Sequence, residues 1–234
     1  MRFGRRVAQI ACLALGVSWG VIAHAVITYQ TGPNSISIPG LTGFATTGAM
    51  MDNLSIRAVF TGGLDETLLW ADSVADSGGV TGTGWSLSLT GDTFTAPWEF
   101  TIDPNADLGQ LSLLVLDGLN AFTVFDRTEP SFGTDGSAQG ADWTCNSVGI
   151  CDTATVTYDF QVAIGGNAPV GDLWQTVTID FFVADLQQGP RQSFSFRQDT
   201  DNDSRLTQVP EPATLALLGL ALAGLGFARR QSAR

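Results

Sequence analysis

Strict alternation of apolar and polar residues limits the fold of this chain more than any other feature. Over residues 153–164 one face carries the apolar side chains, which are Ala154, Val156, Tyr158, Phe160, Val162 and Ile164. Thr153, Thr155, Thr157, Asp159 and Gln161 lie on the other face. Because successive side chains of a strand point to opposite faces, this period of two predicts a half-buried β-strand. Residues 94–102 and 177–183 carry similar stripes, beginning at Phe94 and Val177.

Further short strands are predicted between clear turn signals. They are expected at 27–29, 54–60, 67–70, 85–89, 122–125 and 193–196, with a doubly covered central strand at Leu111–Leu116. Gly, Asp, Asn and Pro clusters, such as Asp76-Ser-Gly-Gly and Asp103-Pro-Asn, separate them. We therefore predict an all-β fold, an antiparallel β-sandwich of jelly-roll-like type over residues 26–198.

The first 25 residues have the layout of a secretory signal peptide. Three arginines among the first six residues precede an apolar run over 7–22, and Ala23-His24-Ala25 supplies an A-x-A cleavage site. We expect the general secretion machinery to export the chain and cleavage after Ala25 to leave Val26 first. An uncleaved membrane anchor is the alternative. His24 is the only histidine, and it would leave with the peptide.

The last 25 residues, 210–234, have a different three-part layout. Pro210-Glu211-Pro212 precedes a mostly apolar stretch over 213–228, which is followed by Arg229-Arg230. Sixteen helical residues span roughly 24 Å, and flanking arginines can reach the headgroups of a ~30 Å core. This predicts a short transmembrane helix with its arginines on the cytoplasmic side. A buried helix of the main domain is the alternative.

These C-terminal residues resemble the PEP-CTERM sorting signal of Gram-negative bacteria. The resemblance implies recognition by an exosortase near Pro210-Glu211-Pro212 and delivery to the cell surface, biofilm matrix or medium. Until processing, the helix would tether the protein to the membrane. The body also resembles one group of PEP-CTERM proteins in stretches such as Gly82–Leu87 and Ala168–Trp174, but that group implies no activity.

Charge and residue usage exclude several function classes. Between residues 26 and 209 stand five arginines, no lysine and twenty-two acidic residues, a formal balance of −17. Such a surface repels phosphates, which excludes a nucleic-acid partner. Without histidine or lysine, the mature body cannot build a histidine-dependent triad, a His-ligated zinc site or a Schiff base. A two-carboxylate glycosidase remains on paper, but no residue pair stands out, so we name no catalytic residue and expect no enzyme.

Three smaller features suggest sites. Cys145 and Cys151 bracket a short polar loop, and in an exported chain this spacing predicts a disulfide. Asp199, Asp201 and Asp203 alternate as calcium ligands do, yet glycine and the final glutamate of the calcium loop are missing. We therefore favour a solvated acidic linker over 199–209 and keep calcium as the alternative cofactor.

Two tryptophans are candidates for glycan binding. Trp143 and Trp174 are out of phase with the apolar faces of their neighbours, which predicts exposed rings that could stack on a sugar. The sequence thus predicts a non-enzymatic surface or matrix protein, structural or adhesive, in an exopolysaccharide setting. A lectin-like sandwich, assisted by calcium, is the second hypothesis, and extracellular polysaccharide is a partner in both.

Overall fold

The computed structural model describes residues 26–30, 36–38, 46–128, 140–147, 149–151, 154–164, 171–181 and 192–202. Within these ranges the chain forms fifteen β-strands and two single-turn 3-10 helices. In chain order the strands are β1 (Val26–Gln30), β2 (Ile36–Ile38), β3 (Ser55–Phe60), β4 (Asp65–Leu69), β5 (Ala71–Val74), β6 (Ser77–Thr81), β7 (Trp85–Thr90), β8 (Trp98–Ile102), β9 (Leu111–Asp117), β10 (Thr123–Asp126), β11 (Thr144–Cys145), β12 (Thr155–Ile164), β13 (Leu173–Asp180), β14 (Phe194–Arg197) and β15 (Asp199–Asn202).

Two sheets contain all of these strands. The larger sheet has nine strands, and six of them lie side by side in the order β1-β12-β13-β9-β3-β4. β10 continues β9 along the same edge of β13 and carries β15 on its other side, while β2 pairs with β12 beyond β1. The smaller sheet has the order β11-β14-β8-β7-β6-β5. Pairing is antiparallel except where β1 and β2 run parallel to β12.

Aromatic side chains join the two sheets. The ring centroids of Phe60 and Phe100 lie 6.4 Å apart, and those of Phe181 and Phe194 lie 5.5 Å apart, each pair crossing from the larger to the smaller sheet. One continuous apolar cluster fills the space between the sheets. The predicted all-β sandwich is therefore confirmed.

Two of the predicted stripes differ in part from the strands of the structure. Phe94 does not belong to a strand, because β8 begins only at Trp98, and its side chain is 44 % exposed. Phe160 lies within β12 but has a φ of +60° and is 42 % exposed. A left-handed residue inside a strand interrupts the alternation of faces, so the stripe that begins at Ala154 turns outward at Phe160.

Close backbone packing explains β6, a strand that the sequence did not predict. Gly78 and Gly79 read as a turn, yet both pair with β5 and β7. A Cβ atom on Gly78 would collide with the carbonyl oxygen of Gly48 and the indole nitrogen of Trp70. Trp70 Nε1 donates a 2.7 Å hydrogen bond to that same carbonyl. Glycine here permits close contact instead of a turn.

Candidate functional site

The acidic segment that starts at Asp199 is a buried strand. β15 pairs antiparallel with β10, placing Asp199 opposite Asp126 and Asn202 opposite Thr123. All four of its residues are at most 6 % exposed. The predicted solvated linker is therefore wrong over residues 199–202, because backbone pairing and side-chain hydrogen bonds replace water there.

Asp199, the first residue of this strand, has a buried carboxylate. Its Oδ1 accepts hydrogen bonds of 2.9 Å from the Thr93 hydroxyl and from the backbone N–H of Thr200. Burial raises the pKa of Asp199 to about 7, and the neighbouring charges of Asp201 and Asp92 act in the same direction. The two hydrogen bonds oppose this shift only in part. A group that titrates near neutrality thus lies inside the sandwich.

The far end of β15 is fixed by polar contacts. The Thr123 hydroxyl donates a 2.7 Å hydrogen bond to Asn202 Oδ1, and Asn202 Nδ2 donates to the carbonyl oxygen of Met50. The Thr200 hydroxyl is 3.2 Å from the Thr93 hydroxyl and 3.6 Å from the sulfur of Met51. Side-chain hydrogen bonds therefore hold this end of β15 in addition to its ladder with β10.

A second polar network adjoins the start of β15. The Tyr158 hydroxyl donates a 2.5 Å hydrogen bond to Gln198 Oε1 and accepts one of 2.9 Å from the backbone N–H of Trp143. The Arg127 guanidinium lies 5.3 Å from the centre of the Tyr158 ring and 3.0 Å from Asp142. The ion pair and the cation–π contact together stabilise the positive charge of the arginine inside the protein.

The carboxylates do not form a metal site in the part of the chain that the structure describes. No three His, Cys, Asp or Glu side chains are grouped there as metal ligands. Of the predicted calcium ligands, Asp199 and Asp201 lie in β15, while Asp203 is outside the described residues. Calcium binding by the three together stays a prediction.

Both predicted glycan-binding tryptophans are buried. Trp143 is 2 % exposed and packs 6.1 Å from Phe196, while Trp174 is 1 % exposed and packs 6.2 Å from Tyr158. Neither ring has a free face for a sugar, so this assignment is wrong. The phase argument fails for Trp174 because its ring lies in the same main apolar cluster as Val177 and Ile179, although its position is out of phase with theirs.

The predicted disulfide is confirmed. Cys145 and Cys151 are bonded, with their Cα atoms 5.5 Å apart. The loop also joins β14, since the N–H of Asn146 donates to the carbonyl oxygen of Ser195 at 2.9 Å. The bridge therefore fastens the short edge strand β11 to the chain that leads into β12.

Sequence reasoning missed most of this polar site. The sequence pattern gave no reason to place Asp92, Asp126 and Gln198 in a buried site, because polar residues are expected at the surface. One signal for β15 was present, since neither glycine nor proline interrupts the chain between Phe196 and Asn202. Such a gap allows an extended strand to continue past the apolar stripe.

The terminal signals lie outside the described residues. These are the cleavage residues Ala23 and Ala25, the Pro210-Glu211-Pro212 motif, the apolar stretch 213–228 and the Arg229-Arg230 pair. Within the described ranges, no helix has the length and apolar character needed to cross a membrane.

Comparison with known proteins identifies the tail. The model of the PEP-CTERM protein-sorting motif matches residues 208–230, which confirms the resemblance seen in the sequence. Neither the curated proteins nor the solved structures yield a match to this chain. The chain therefore carries a PEP-CTERM protein-sorting motif at residues 208–230, and this motif supports an exported protein that an exosortase sorts.

Proposed function

We propose that the β-sandwich is a non-enzymatic component of the cell surface or extracellular matrix, with a structural or adhesive role in an exopolysaccharide layer. The apolar stretch 213–228 would tether it to the membrane until an exosortase processes the tail. Support for the location comes from the sorting motif at 208–230.

The observation that carries the non-enzymatic role is the burial of the side chains best suited to chemistry. Trp143, Trp174, Asp199 and Asp201 are all at most 6 % exposed. A glycosidase acid needs a raised pKa and access to the substrate. Asp199 has the raised pKa but is 6 % exposed, and hydrogen bonds to Thr93 and Thr200 occupy Oδ1. These side chains therefore make their contacts inside the sandwich and do not face a substrate.

The partly exposed residues of the larger sheet favour a passive surface. Thr155 and Thr157 of β12 and Thr178 of β13 are partly exposed, with Asp159 and Asp180 in the same strands. Threonine is common on the half-buried surface of a strand, so these residues need no ligand to explain their position.

Cell fractionation of the producing bacterium tests the proposal. We expect the native chain in the surface and matrix fractions, and a variant with Pro210, Glu211 and Pro212 all changed to Ala to stay in the membrane fraction. Purified protein should co-sediment with the matrix polysaccharide without shortening it. Release of reducing ends from that polysaccharide, abolished by a single Asp→Asn change, would overturn the non-enzymatic role.

A further inference from the structure

The strand β4 forms one border of the larger sheet. It stands after β3 at the end of the sheet order, and among the described residues no strand pairs with its other side. Its five residues pair with β3 in one register, without the shift that interrupts the pairing of β3 with β9. β4 is therefore an uninterrupted edge strand with an open side.

The ladder between β3 and β4 determines which backbone groups face this open side. The N–H of Phe60 donates at 2.8 Å to the carbonyl oxygen of Leu64, directly across the ladder. Hydrogen-bonded pairs of an antiparallel ladder recur at every second residue, so the even-numbered residues of β4 bond to β3. The N–H and C=O groups of Asp65, Thr67 and Leu69 therefore point away from β3, toward the open side.

The side chains of these three residues are exposed and form a surface with a balanced charge. Leu69 is 56 % exposed, and Asp65 and Thr67 are exposed beside it. Arg57 of β3 donates from Nε and Nη2 to the two carboxylate oxygens of Asp65, at 2.8 and 2.7 Å. This bidentate pair cancels the charge of Asp65 locally, on a body whose formal balance is −17.

The second acid of β4 is held on the inner side of the strand. Glu66 Oε2 accepts hydrogen bonds of 2.9 Å from the backbone N–H of Thr83 and 2.8 Å from the indole N–H of Trp85. The Thr83 hydroxyl also lies 3.2 Å from Glu66 Oε1. Trp85 begins β7 of the smaller sheet, so this carboxylate bridges the two sheets. Its charge is thus satisfied within the molecule and is directed away from the open side.

The other borders of the two sheets are protected within the described residues. The pairing of β5 with β6 shifts between Asp72 and Val74, and the N–H of Asp72 donates at 2.9 Å to Asp52 Oδ1. β11 has only two residues, and the border opposite β4 is divided between β1 and β2 at Phe160. Irregular pairing, short strands and covered backbone groups are usual protections against edge-to-edge pairing. β4 has none of these three.

We propose that β4 is a self-association surface, at which two copies of this chain pair antiparallel about a twofold axis at Thr67. In this register the outward groups of Asp65 bond to those of Leu69 in the second copy, which gives about six inter-strand hydrogen bonds. Asp65 then faces Leu69 and not another Asp65, so like charges are not directly opposite each other. The two Thr67 side chains face each other, and threonine pairs across a ladder are favourable.

This arrangement predicts a closed dimer. Each copy contributes the same strand, so the contact uses up both open edges and does not propagate. The inference goes beyond the proposed function, because two sandwiches can pair in this way whether or not they bind a polysaccharide.

Cross-linking of the exported chain in the producing bacterium tests the register. Residues facing each other as a hydrogen-bonded pair have Cα atoms about 5.5 Å apart, within the range that a disulfide spans. We expect Thr67→Cys to give a dimer on a non-reducing gel that disappears on reduction. Thr101→Cys is the matched control, because Thr101 is an exposed threonine on β8, a strand paired on both sides. Equal dimer yields from the two variants would overturn the proposal.

Sedimentation of the purified exported chain tests the contact without a cross-link. Thr67→Lys places two like charges opposite each other on the axis and should raise the dimer dissociation constant about tenfold. Thr101→Lys should leave it unchanged, and tryptophan fluorescence should show that both variants remain folded. A native chain that stays monomeric at all concentrations, or that forms species larger than a dimer, would refute the twofold contact at β4.

The outcomes also separate this inference from the proposed function. A native dimer that fails to co-sediment with the matrix polysaccharide would contradict the matrix role and leave the β4 contact intact. A monomer that co-sediments would refute the β4 contact alone.

Discussion

Removing the negative charge of the buried Asp199 side chain should stabilise this protein at neutral and alkaline pH. Asp199→Asn keeps an oxygen that can accept from Thr93 and Thr200 but removes the ionisation. The pKa of Asp199 is raised from 3.8 to about 7, mainly by burial. A folded-state pKa above the unfolded value means that stability is lost as the pH rises from about 4 to 7.

The linkage relation gives the size of the effect. A shift of about three pKa units corresponds to roughly 4 kcal/mol at pH 8, which is an upper bound because the new amide must also fit beside Asp201. Near pH 4 the same substitution should change the free energy of unfolding by well under ~1 kcal/mol, since the native carboxyl is then protonated.

Urea unfolding followed by tryptophan fluorescence measures this difference. Native protein, Asp199→Asn and the exposed control Asp107→Asn should be compared at pH 4 and pH 8. We expect a gain of about 2–4 kcal/mol for Asp199→Asn at pH 8 only. An equal gain at both pH values, or a loss at pH 8, would refute the argument that a buried charge destabilises β15.

Three further predictions concern other parts of the sandwich. Changing Cys145 and Cys151 together to Ser should lower the free energy of unfolding by about 2 kcal/mol, because the bridge closes only a short loop; an unchanged urea midpoint would contradict this. Glu66→Gln should have the opposite pH dependence to Asp199→Asn, since hydrogen bonds from Thr83 and Trp85 hold the pKa of Glu66 below its usual value. The ionised Glu66 side chain contributes to the free energy of unfolding above pH ~4.5, and this contribution is lost as the pH falls. Because solvent screens the group, Glu66→Gln should lower the free energy of unfolding by less than ~1 kcal/mol at pH 7. Trp174→Ala should cost about 3–5 kcal/mol as a core truncation, and polysaccharide co-sedimentation at a temperature where it stays folded should not change.

The sequence predicted the apolar framework well, because burial of alternate side chains leaves a direct trace in the residue order. β7, with Trp85, Leu87 and Leu89 buried and Ser86 and Ser88 more exposed, follows the period of two closely. The disulfide was also predictable, since two cysteines six residues apart in an exported chain have few other uses.

Tertiary contacts decided the features that the sequence did not reveal. β15 buries polar residues, so an apolar period cannot detect it, and its cross-strand partner Asp126 is 73 residues away in the chain. Trp143 was predicted to be exposed because it is out of phase with nearby apolar residues, and the strand that follows it, β11, is only two residues long. Its burial depends on Phe196 from β14, which no local pattern could indicate.

The left-handed residue Phe160 has a consequence for molecules crowded together at a cell surface. It divides the ten-residue strand β12 into two parts, and β1 covers the first part while β2 covers the second. This border of the larger sheet, opposite the one formed by β4, therefore consists of a five-residue and a three-residue strand instead of one long straight strand. Short, interrupted borders are poor templates for strand addition by a neighbouring molecule. A neighbouring copy of the chain therefore meets no long edge strand at this border that it could extend into a shared sheet.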